Sequence, residues 1–251
     1  MADTTRRFAT RVDNYVKYRP TYPPAIVEVL REECGLGPET VIADVGSGTG
    51  ILSELLLSNG NHVYGVEPNQ EMRAAGERLL AAYPTFTSVD GTAEATTLPD
   101  TSVDLVAAGQ AFHWFKPAPT RAEWRRILRP GGWAVLVWNV RRDDTAFLRD
   151  YEVVLQTYGT DYAEVRHGNV HDADLAGFYG SGGPELRRLP NRQLFDLEGL
   201  IGRVFSSSYT PEPGHPNYEP LRAALAELFA RHQQDGQVAF EYETRLYFGR
   251  L

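Results

Sequence analysis

Short apolar runs alternate with helical patterns along the first 140 residues of the chain. The β-branched pair Val41-Ile42 precedes a glycine-rich stretch, and the leucines of 51–57 then recur at helical spacing. A second apolar run at 61–66 ends at the acid Glu67, and a polar, helix-like segment follows after Asn69. Strands that alternate with helices in this way are typical of an α/β fold with a parallel sheet.

The same pattern predicts the remaining strands and four helix starts. Strands are expected near 86–89, 103–108, 133–139, 186–194 and 238–248. Thr21, Asn69, Thr120 and Asp196 are predicted N-caps, because their side-chain oxygens can accept the first free N–H groups of a helix. Residues 140–185 interrupt the alternation with polar and aromatic residues, some at helical spacing, and predict a helical insertion after the fifth strand.

The candidate ligand-binding feature is the loop Asp44-Val45-Gly46-Ser47-Gly48-Thr49-Gly50. Glycine lacks a Cβ, so this loop can lie directly against a ligand, and the free N–H groups of the next helix favour a polar or anionic group. Glu67 lies 17 residues after Gly50. In nucleotide-binding βαβ units an acid at about 20 residues accepts hydrogen bonds from ribose hydroxyls. A solvated strand end is the alternative for Glu67.

Two other nucleotide ligands fit the loop poorly. The dinucleotide pattern requires a third glycine at the position of Ile51, which disfavours NAD. A phosphate-binding loop for ATP requires a lysine, and this loop has none. A ligand with an adenosine but without a pyrophosphate remains.

Composition excludes several partners. The formal net charge is −8 and the Lys and Arg residues are not clustered, so no nucleic-acid partner is expected. With Cys34 as the single cysteine, no internal disulfide can form, which suits a reducing cytoplasm. No run approaches the roughly 18 apolar residues of a membrane span, so no membrane partner is expected. The histidines and aspartates at 167–174 match no metal-site spacing, and no metal is predicted.

Several motifs together resemble the class I S-adenosylmethionine (SAM) dependent methyltransferases. The glycine loop and Glu67 resemble motifs I and II of that family. Tyr18-Arg19-Pro20 is similar to the N-terminal segment of many of its small-molecule enzymes, and Leu128-Arg129-Pro130-Gly131-Gly132 to the turn before the family's fifth strand. The resemblance runs from about residue 18 to 139 and is strongest to the type 11 and trans-aconitate methyltransferase-like group.

The resemblance implies a fold and a cofactor. The expected fold is a Rossmann-like, doubly wound, seven-stranded, mostly parallel sheet with an antiparallel last strand. The expected cofactor is SAM, with S-adenosyl-L-homocysteine as product. Carried over by motif position, the cofactor-binding residues are Tyr18, Arg19, Asp44, Gly46, Ser47, Gly48, Thr49, Gly50, Glu67, Pro68, Thr92, Ala93, Glu94 and Gln110. Thr92 stands where the family carries an aspartate for the adenine amino group, so it offers a hydrogen-bond acceptor but no charge.

The acceptor side is predicted from the end of the fourth strand and the flanking segments. Tyr15, His113, Trp114 and Asn139 are the candidate substrate residues, and His113 is also the candidate general base. Arg19 is expected to pair with the methionine carboxylate. Surface ion pairing for Arg19 and a structural role for His113 are the alternatives.

These expectations combine into one functional hypothesis. Residues 1–251 form one methyltransferase domain, with 1–22 as a cover segment and 140–185 as a substrate lid. The enzyme moves a methyl group from SAM to an O-, C- or N-nucleophile of a small molecule by in-line displacement. A SAM-binding regulatory or pseudoenzyme domain and a nicotinamide-dependent oxidoreductase are the alternatives. The sequence leaves open whether the protein is a monomer or a homodimer.

Overall fold

The computed structural model of the chain describes residues 18–160, 162, 172–180, 182–207 and 209–251. Its helices are α1 (Ala25–Cys34), α2 (Ile51–Ser58), α3 (Gln70–Leu79), α4 (Pro117–Ile127), α5 (Ala146–Tyr158), α6 (Asp172–Tyr179), α7 (Leu197–Phe205) and α8 (Tyr218–His232). Its strands are β1 (Val41–Val45), β2 (His62–Val66), β3 (Phe86–Val89), β4 (Val103–Gly109), β5 (Leu128–Arg141), β6 (Glu185–Phe195) and β7 (Val238–Gly249).

The strands form one seven-stranded sheet in the order β3-β2-β1-β4-β5-β7-β6. β1 pairs in parallel with β2 on one side and with β4 on the other. β3 and β5 extend the parallel pairing outward, and the final strands are antiparallel. The predicted fold class is confirmed. Because the order reverses direction between β1 and β4, the carboxyl ends of these two strands flank the crevice where open α/β sheets bind ligands.

The chain divides into two compact units. We call residues 21–139, 170–189 and 244–251 the sheet unit. The described residues of 1–20, 140–169 and 190–243 form the helical unit, which contains α5, α7 and α8. The boundary falls within β5, β6 and β7, whose residues are therefore shared between the units. Of the predicted lid, α5 belongs to the helical unit and α6 to the sheet unit.

Each unit has its own apolar core. In the sheet unit, Ile42, Val63 and Leu105 of the central strands are buried with Leu56 of α2. Apolar residues on both faces of β1 are inaccessible to solvent, as expected for a parallel strand that is covered by helices on both sides. The core of the helical unit is formed by side chains of α5, α7, α8 and β7: Leu148, Tyr151, Leu200, Leu225 and Phe240.

Two of the four predicted N-caps are confirmed. Asn69 Oδ1 accepts hydrogen bonds from the N–H groups of Glu71 and Met72, and Asp196 Oδ1 accepts one from Gly199. The prediction for Thr21 is wrong, because α1 begins only at Ala25, after the N-cap residue Pro24. The prediction for Thr120 is wrong, because α4 already begins at Pro117, where a proline suits the first turn of a helix. Throughout the described residues, each helix is too short or too polar to cross a lipid bilayer.

Candidate active site

The glycine loop joins β1 to α2 in a conformation that requires its glycines. Gly46, Gly48 and Gly50 have φ angles of +70°, +58° and +89°, which side-chain-bearing residues rarely adopt. Ala111 follows Gln110 directly after β4. A Cβ at Gly46 would lie only 2.7 Å from the Cβ of Ala111. The loop backbone therefore lies directly against the carboxyl end of β4, and its surface is formed by backbone atoms.

Glu67 is fixed across this loop. Its Oε2 accepts a hydrogen bond from the Gly48 N–H at 2.9 Å, and its Oε1 accepts one from the Asn69 N–H at 2.8 Å. Burial raises the pKa of Glu67, while these two N–H groups and Arg73 favour the ionised form. An ionised carboxylate has further lone pairs, so Glu67 can still accept hydrogen bonds from a ligand.

Asp44 is a second buried carboxyl group at this edge of the sheet. Its Oδ2 accepts a hydrogen bond from Ser53 Oγ at 2.6 Å, and its Oδ1 has no hydrogen-bond partner among the described residues. Burial raises the pKa of Asp44 to about 7, the hydrogen bond from Ser53 opposes this rise, and the charge of Glu67 adds to it. A buried, unpartnered carboxylate oxygen fits a cationic donor such as an ammonium group.

The other loop residues have smaller roles in the geometry. Ser47 donates its N–H to the Val66 carbonyl at 3.2 Å, which ties the loop to β2. Thr49 is buried, and its Oγ1 has no partner among the described residues. Pro68 is exposed directly after Glu67.

Residues 92–95 form a tight turn after β3. Thr92 and Ala95 exchange backbone hydrogen bonds at 3.0 and 3.3 Å. Thr92 is exposed and Ala93 is buried, while Glu94 Oε1 accepts a hydrogen bond from the Lys116 N–H at 2.9 Å. The hydroxyl of Thr92 is therefore accessible, whereas Glu94 is engaged with the start of α4.

The end of β4 is a strained turn held by neighbouring strands. Gln110 has a φ of +55°, which is uncommon for a residue with a side chain. Its N–H donates to the Val137 carbonyl at 2.8 Å, and its Oε1 accepts from the Asn139 N–H at 2.9 Å. Strain of this kind is typical of functional sites, where the surrounding structure holds it in place.

Asn139 and Tyr22 brace this turn. The Asn139 amide donates to the Thr21 carbonyl at 3.2 Å and accepts from Thr244 Oγ1 at 2.5 Å. Tyr22 lies so close that a Cβ at Gly109 would meet its hydroxyl oxygen at 2.5 Å. The segment after residue 20 is therefore packed onto the end of β4.

His113 and Trp114 follow in a short 3₁₀ helix, Phe112–Trp114. Both side chains are exposed, Trp114 by 54%, and their ring centroids lie 4.6 Å apart. Although part of the imidazole surface is accessible, the protein atoms around it displace enough water to lower the pKa of His113 to about 4. The imidazole is therefore neutral at physiological pH, and one ring nitrogen is available to accept a proton.

Two of the remaining predicted site residues, Tyr18 and Arg19, belong to the helical unit. Tyr18 is buried in the helical unit, where a Cβ at Gly202 would lie 2.1 Å from its ring. The Arg19 carbonyl of the same unit accepts a hydrogen bond from the Gln193 amide at 3.2 Å. Tyr15 lies outside the described residues.

Ser53, Gly109 and Tyr22 also shape this site and were not predicted from the sequence. Ser53 lies in the first turn of α2 and is completely buried, an unusual place for a serine in a leucine-rich helix. Gly109 ends a strand that is apolar from Leu105 onward, which was a signal for a close approach. No local sequence pattern predicted that the ring of Tyr22 would pack against this glycine.

Comparison with known proteins identifies the family of the chain. A methyltransferase-domain family model matches residues 43–136. An uncharacterized methyltransferase of Schizosaccharomyces pombe is 30% identical over 250 residues, which cover 96% of each chain. An uncharacterized methyltransferase of Mycobacterium tuberculosis is 38% identical over 148 residues, or 59% of this chain and 58% of that one. The chain belongs to the class I SAM-dependent methyltransferases.

Solved structures show the same fold. A proposed type II methyltransferase from Anaeromyxobacter dehalogenans aligns with a TM-score of 0.67 and 24% identity, over 93% of this chain and 98% of that one. A proposed methyltransferase from an antibiotic biosynthesis pathway of Anabaena variabilis aligns with a TM-score of 0.63 and 20% identity, over 92% and 98% of the two chains. The cofactor of the family is SAM, and the unpartnered Asp44 Oδ1 and the glycine loop fit its ammonium group and its adenosine.

Proposed function

We propose that this methyltransferase moves the methyl group of SAM to a small-molecule acceptor by in-line displacement. The observation that carries the proposal is the anchored carboxylate of Glu67, whose two oxygens are fixed by the N–H groups of Gly48 and Asn69. This carboxylate is held beside a backbone-lined loop at the carboxyl ends of β1 and β2, where a ribose can be bound and oriented.

On the cofactor side, each residue has a defined part in the proposal. Glu67 accepts hydrogen bonds from the ribose hydroxyls, and the glycine loop admits the adenosine to close backbone contact. Asp44 Oδ1 accepts a hydrogen bond from the ammonium group, which supplies the donor that this buried oxygen lacks among the described residues. Thr92 and the buried Ala93 line the adenine, while Glu94 supports the start of α4.

On the acceptor side, the chain chiefly has to position a nucleophile. The bound cofactor supplies a methyl group already activated by the sulfonium. Correct orientation of the acceptor can then contribute about 7 kcal/mol or more to lowering the barrier. In the proposal, Trp114 provides an aromatic wall, and the neutral His113 accepts the acceptor's proton where the acceptor carries one.

The cover and lid assignments belong to the same proposal. Tyr15, Tyr18 and Arg19 of the cover segment and residues 140–185 would enclose the acceptor and exclude water. Arg19 would bind the methionine carboxylate. The closely packed Tyr18–Gly202 contact supports a fixed anchor for the described end of this segment.

Calorimetric titration followed by a turnover assay tests the proposal. Purified protein is titrated separately with SAM, S-adenosyl-L-homocysteine and NAD, and then incubated with methyl-labelled SAM and a panel of small hydroxyl, amine and carboxylate compounds. We expect both adenosyl ligands to bind, NAD not to bind, and label to pass to a member of the panel. SAM binding without label transfer, even to compounds in a cell extract of low molecular mass, would favour the regulatory alternative. A folded protein that binds neither adenosyl ligand would overturn the proposal.

A further inference from the structure

A second group of charged and aromatic side chains lies inside the helical unit. Arg203 of α7 is only 6% exposed, and Tyr151 of α5 is completely buried. At the end of β5, the Arg141 guanidinium lies 4.8 Å from the centroid of the Tyr151 ring. Burial raises the pKa of Tyr151, and the positive charges of Arg141 and Arg203 both oppose that rise.

Two donors of this cluster are left unpaired. The Tyr151 hydroxyl and Arg203 Nε are inaccessible to solvent and have no hydrogen-bond partner among the described residues. A buried donor without an acceptor destabilises the folded protein, and more so when it is charged. Burial raises the pKa of Tyr151, so its hydroxyl keeps its proton and remains a donor. Both groups therefore require a hydrogen-bond acceptor, such as an oxygen atom.

The positive charge of the cluster is only partly neutralised. Arg141 pairs with Glu152, since its Nη2 donates to Glu152 Oε2 at 2.5 Å and to the Tyr162 hydroxyl at 2.8 Å. Arg203 instead donates to Ser207 Oγ at 3.2 Å and to Tyr242, and it makes no ion pair with a described carboxylate.

The pKa of Tyr209 is affected by the positive charge of this cluster. Burial alone would raise the pKa of Tyr209, but the charges of Arg203 and Arg141 act in the opposite direction, and a hydrogen bond with Ser207 and the charge of Arg19 add to their effect, so that the pKa lies below its usual value. A buried positive charge without a counter-ion is unfavourable, so an anion would stabilise the cluster.

We propose that Arg203, Arg141 and Tyr151 form a buried binding site for a small oxyanion, a carboxylate or a phosphate. The oxyanion accepts hydrogen bonds from Arg203 Nε and the Tyr151 hydroxyl and neutralises the charge of Arg203. A guanidinium and a phenol offer N–H and O–H donors to one anionic group in the manner of charge-assisted hydrogen bonds. This site lies within the helical unit and stands independently of the proposed methyl transfer.

The test compares the binding of anions with that of a neutral analogue. Succinate, inorganic phosphate and the uncharged succinamide are titrated into the full chain by calorimetry. We expect at least one anion to bind and succinamide not to bind. Tyr151→Phe removes only the unpaired hydroxyl and should weaken anion binding about five- to tenfold, without lowering the melting temperature of the ligand-free protein. Tyr158→Phe is the matched control, because it removes one hydroxyl from the same helix outside the cluster.

Arg203→Lys keeps the charge but loses Nε, and should weaken anion binding at least tenfold. SAM is titrated into the same variants as a further control. We expect weaker anion binding with unchanged SAM binding, because the site is independent of the cofactor. Weaker SAM binding in Tyr151→Phe would overturn that independence and with it the proposal. The proposal is also overturned if neither anion binds more tightly than succinamide. Equal anion affinities in Tyr151→Phe and Tyr158→Phe would overturn it as well.

Discussion

The Gly48 N–H donates a 2.9 Å hydrogen bond to Glu67 Oε2, so one carboxylate joins the glycine loop to the end of β2. This contact links the two sequence motifs that predicted a ribose site. It also gives Glu67 two tasks, to shape the loop and to accept ligand hydroxyls, and these tasks can be separated by substitution.

Glu67→Ala should weaken SAM binding by about 2–3 kcal/mol, because both charge-assisted ligand hydrogen bonds and the support of the loop are lost. Glu67→Gln keeps one acceptor oxygen and should lose less. Calorimetry on folded variants measures both effects. Glu71→Ala, an exposed carboxylate at the start of α3, is the control. Unchanged affinity in a folded Glu67→Ala protein would remove Glu67 from the site.

Asp44 should release a proton when SAM binds below pH 7. Burial raises the pKa of Asp44 to about 7 in the ligand-free protein, so the carboxyl is mostly protonated at pH 6. An ammonium group placed against Oδ1 favours the ionised form. Calorimetry at pH 6 in two buffers of different ionisation enthalpy should show release of most of one proton, with little release at pH 8 and none in Asp44→Asn. A heat of binding that is equal in both buffers at pH 6 would contradict the contact.

The same carboxyl predicts how stability depends on pH without ligand. Between its unfolded pKa of 3.8 and its folded pKa of about 7, the native state holds a proton that the unfolded state releases. Asp44 therefore contributes stability that is fully present below pH 3.8 and is lost as the pH rises through 7. The difference in unfolding free energy between the wild type and Asp44→Asn, measured in urea at pH 5 and pH 8, isolates this contribution. Relative to Asp44→Asn, the wild type should have a lower free energy of unfolding at pH 8 than at pH 5.

The sequence predicted features that are encoded locally. The positive φ angles of the glycine loop and the Asn69 cap depend on residues a few positions apart, and both follow from backbone and side-chain chemistry. Thr120 is not a cap because α4 starts earlier, at Pro117, and a proline in the first turn is itself a local signal for a helix start.

Features that depend on tertiary contacts were not predictable from the sequence. The Asp44–Ser53 hydrogen bond requires the loop to turn α2 back over β1, and Gly109 is explained only by the ring of Tyr22. The cluster around Arg203 joins side chains of α5, α7 and β5 that lie far apart along the chain. Single arginines in the sequence have no pattern that distinguishes them from surface residues.

Gly109→Ala should destabilise the sheet unit. The new Cβ would lie 2.5 Å from the Tyr22 hydroxyl oxygen, so the ring or the end of β4 has to move. Overpacking of this kind typically costs about 1–3 kcal/mol. Tyr22→Phe removes the oxygen in closest contact and should restore part of the loss in the double variant. Urea unfolding of the single and double variants measures the coupling, and additive effects would show that the two residues do not interact.

His113 should affect the pH dependence of turnover if it accepts a proton. Since the pKa of His113 is lowered to about 4, the imidazole is neutral above that value and loses its basic form as the pH falls through it. The specificity constant kcat/KM, which reports the pKa of groups in the free enzyme, should therefore decrease only toward pH 4 when it is measured with the acceptor found by the labelling assay. His113→Gln retains a polar side chain but cannot accept a proton, and should lower kcat/KM by about a hundredfold or more and remove the acidic limb. A matching substitution of the neighbouring ring, Trp114→Phe, should leave that limb in place. If His113→Gln turns over within a few-fold of the wild type and keeps the acidic limb, His113 positions the acceptor and does not take its proton.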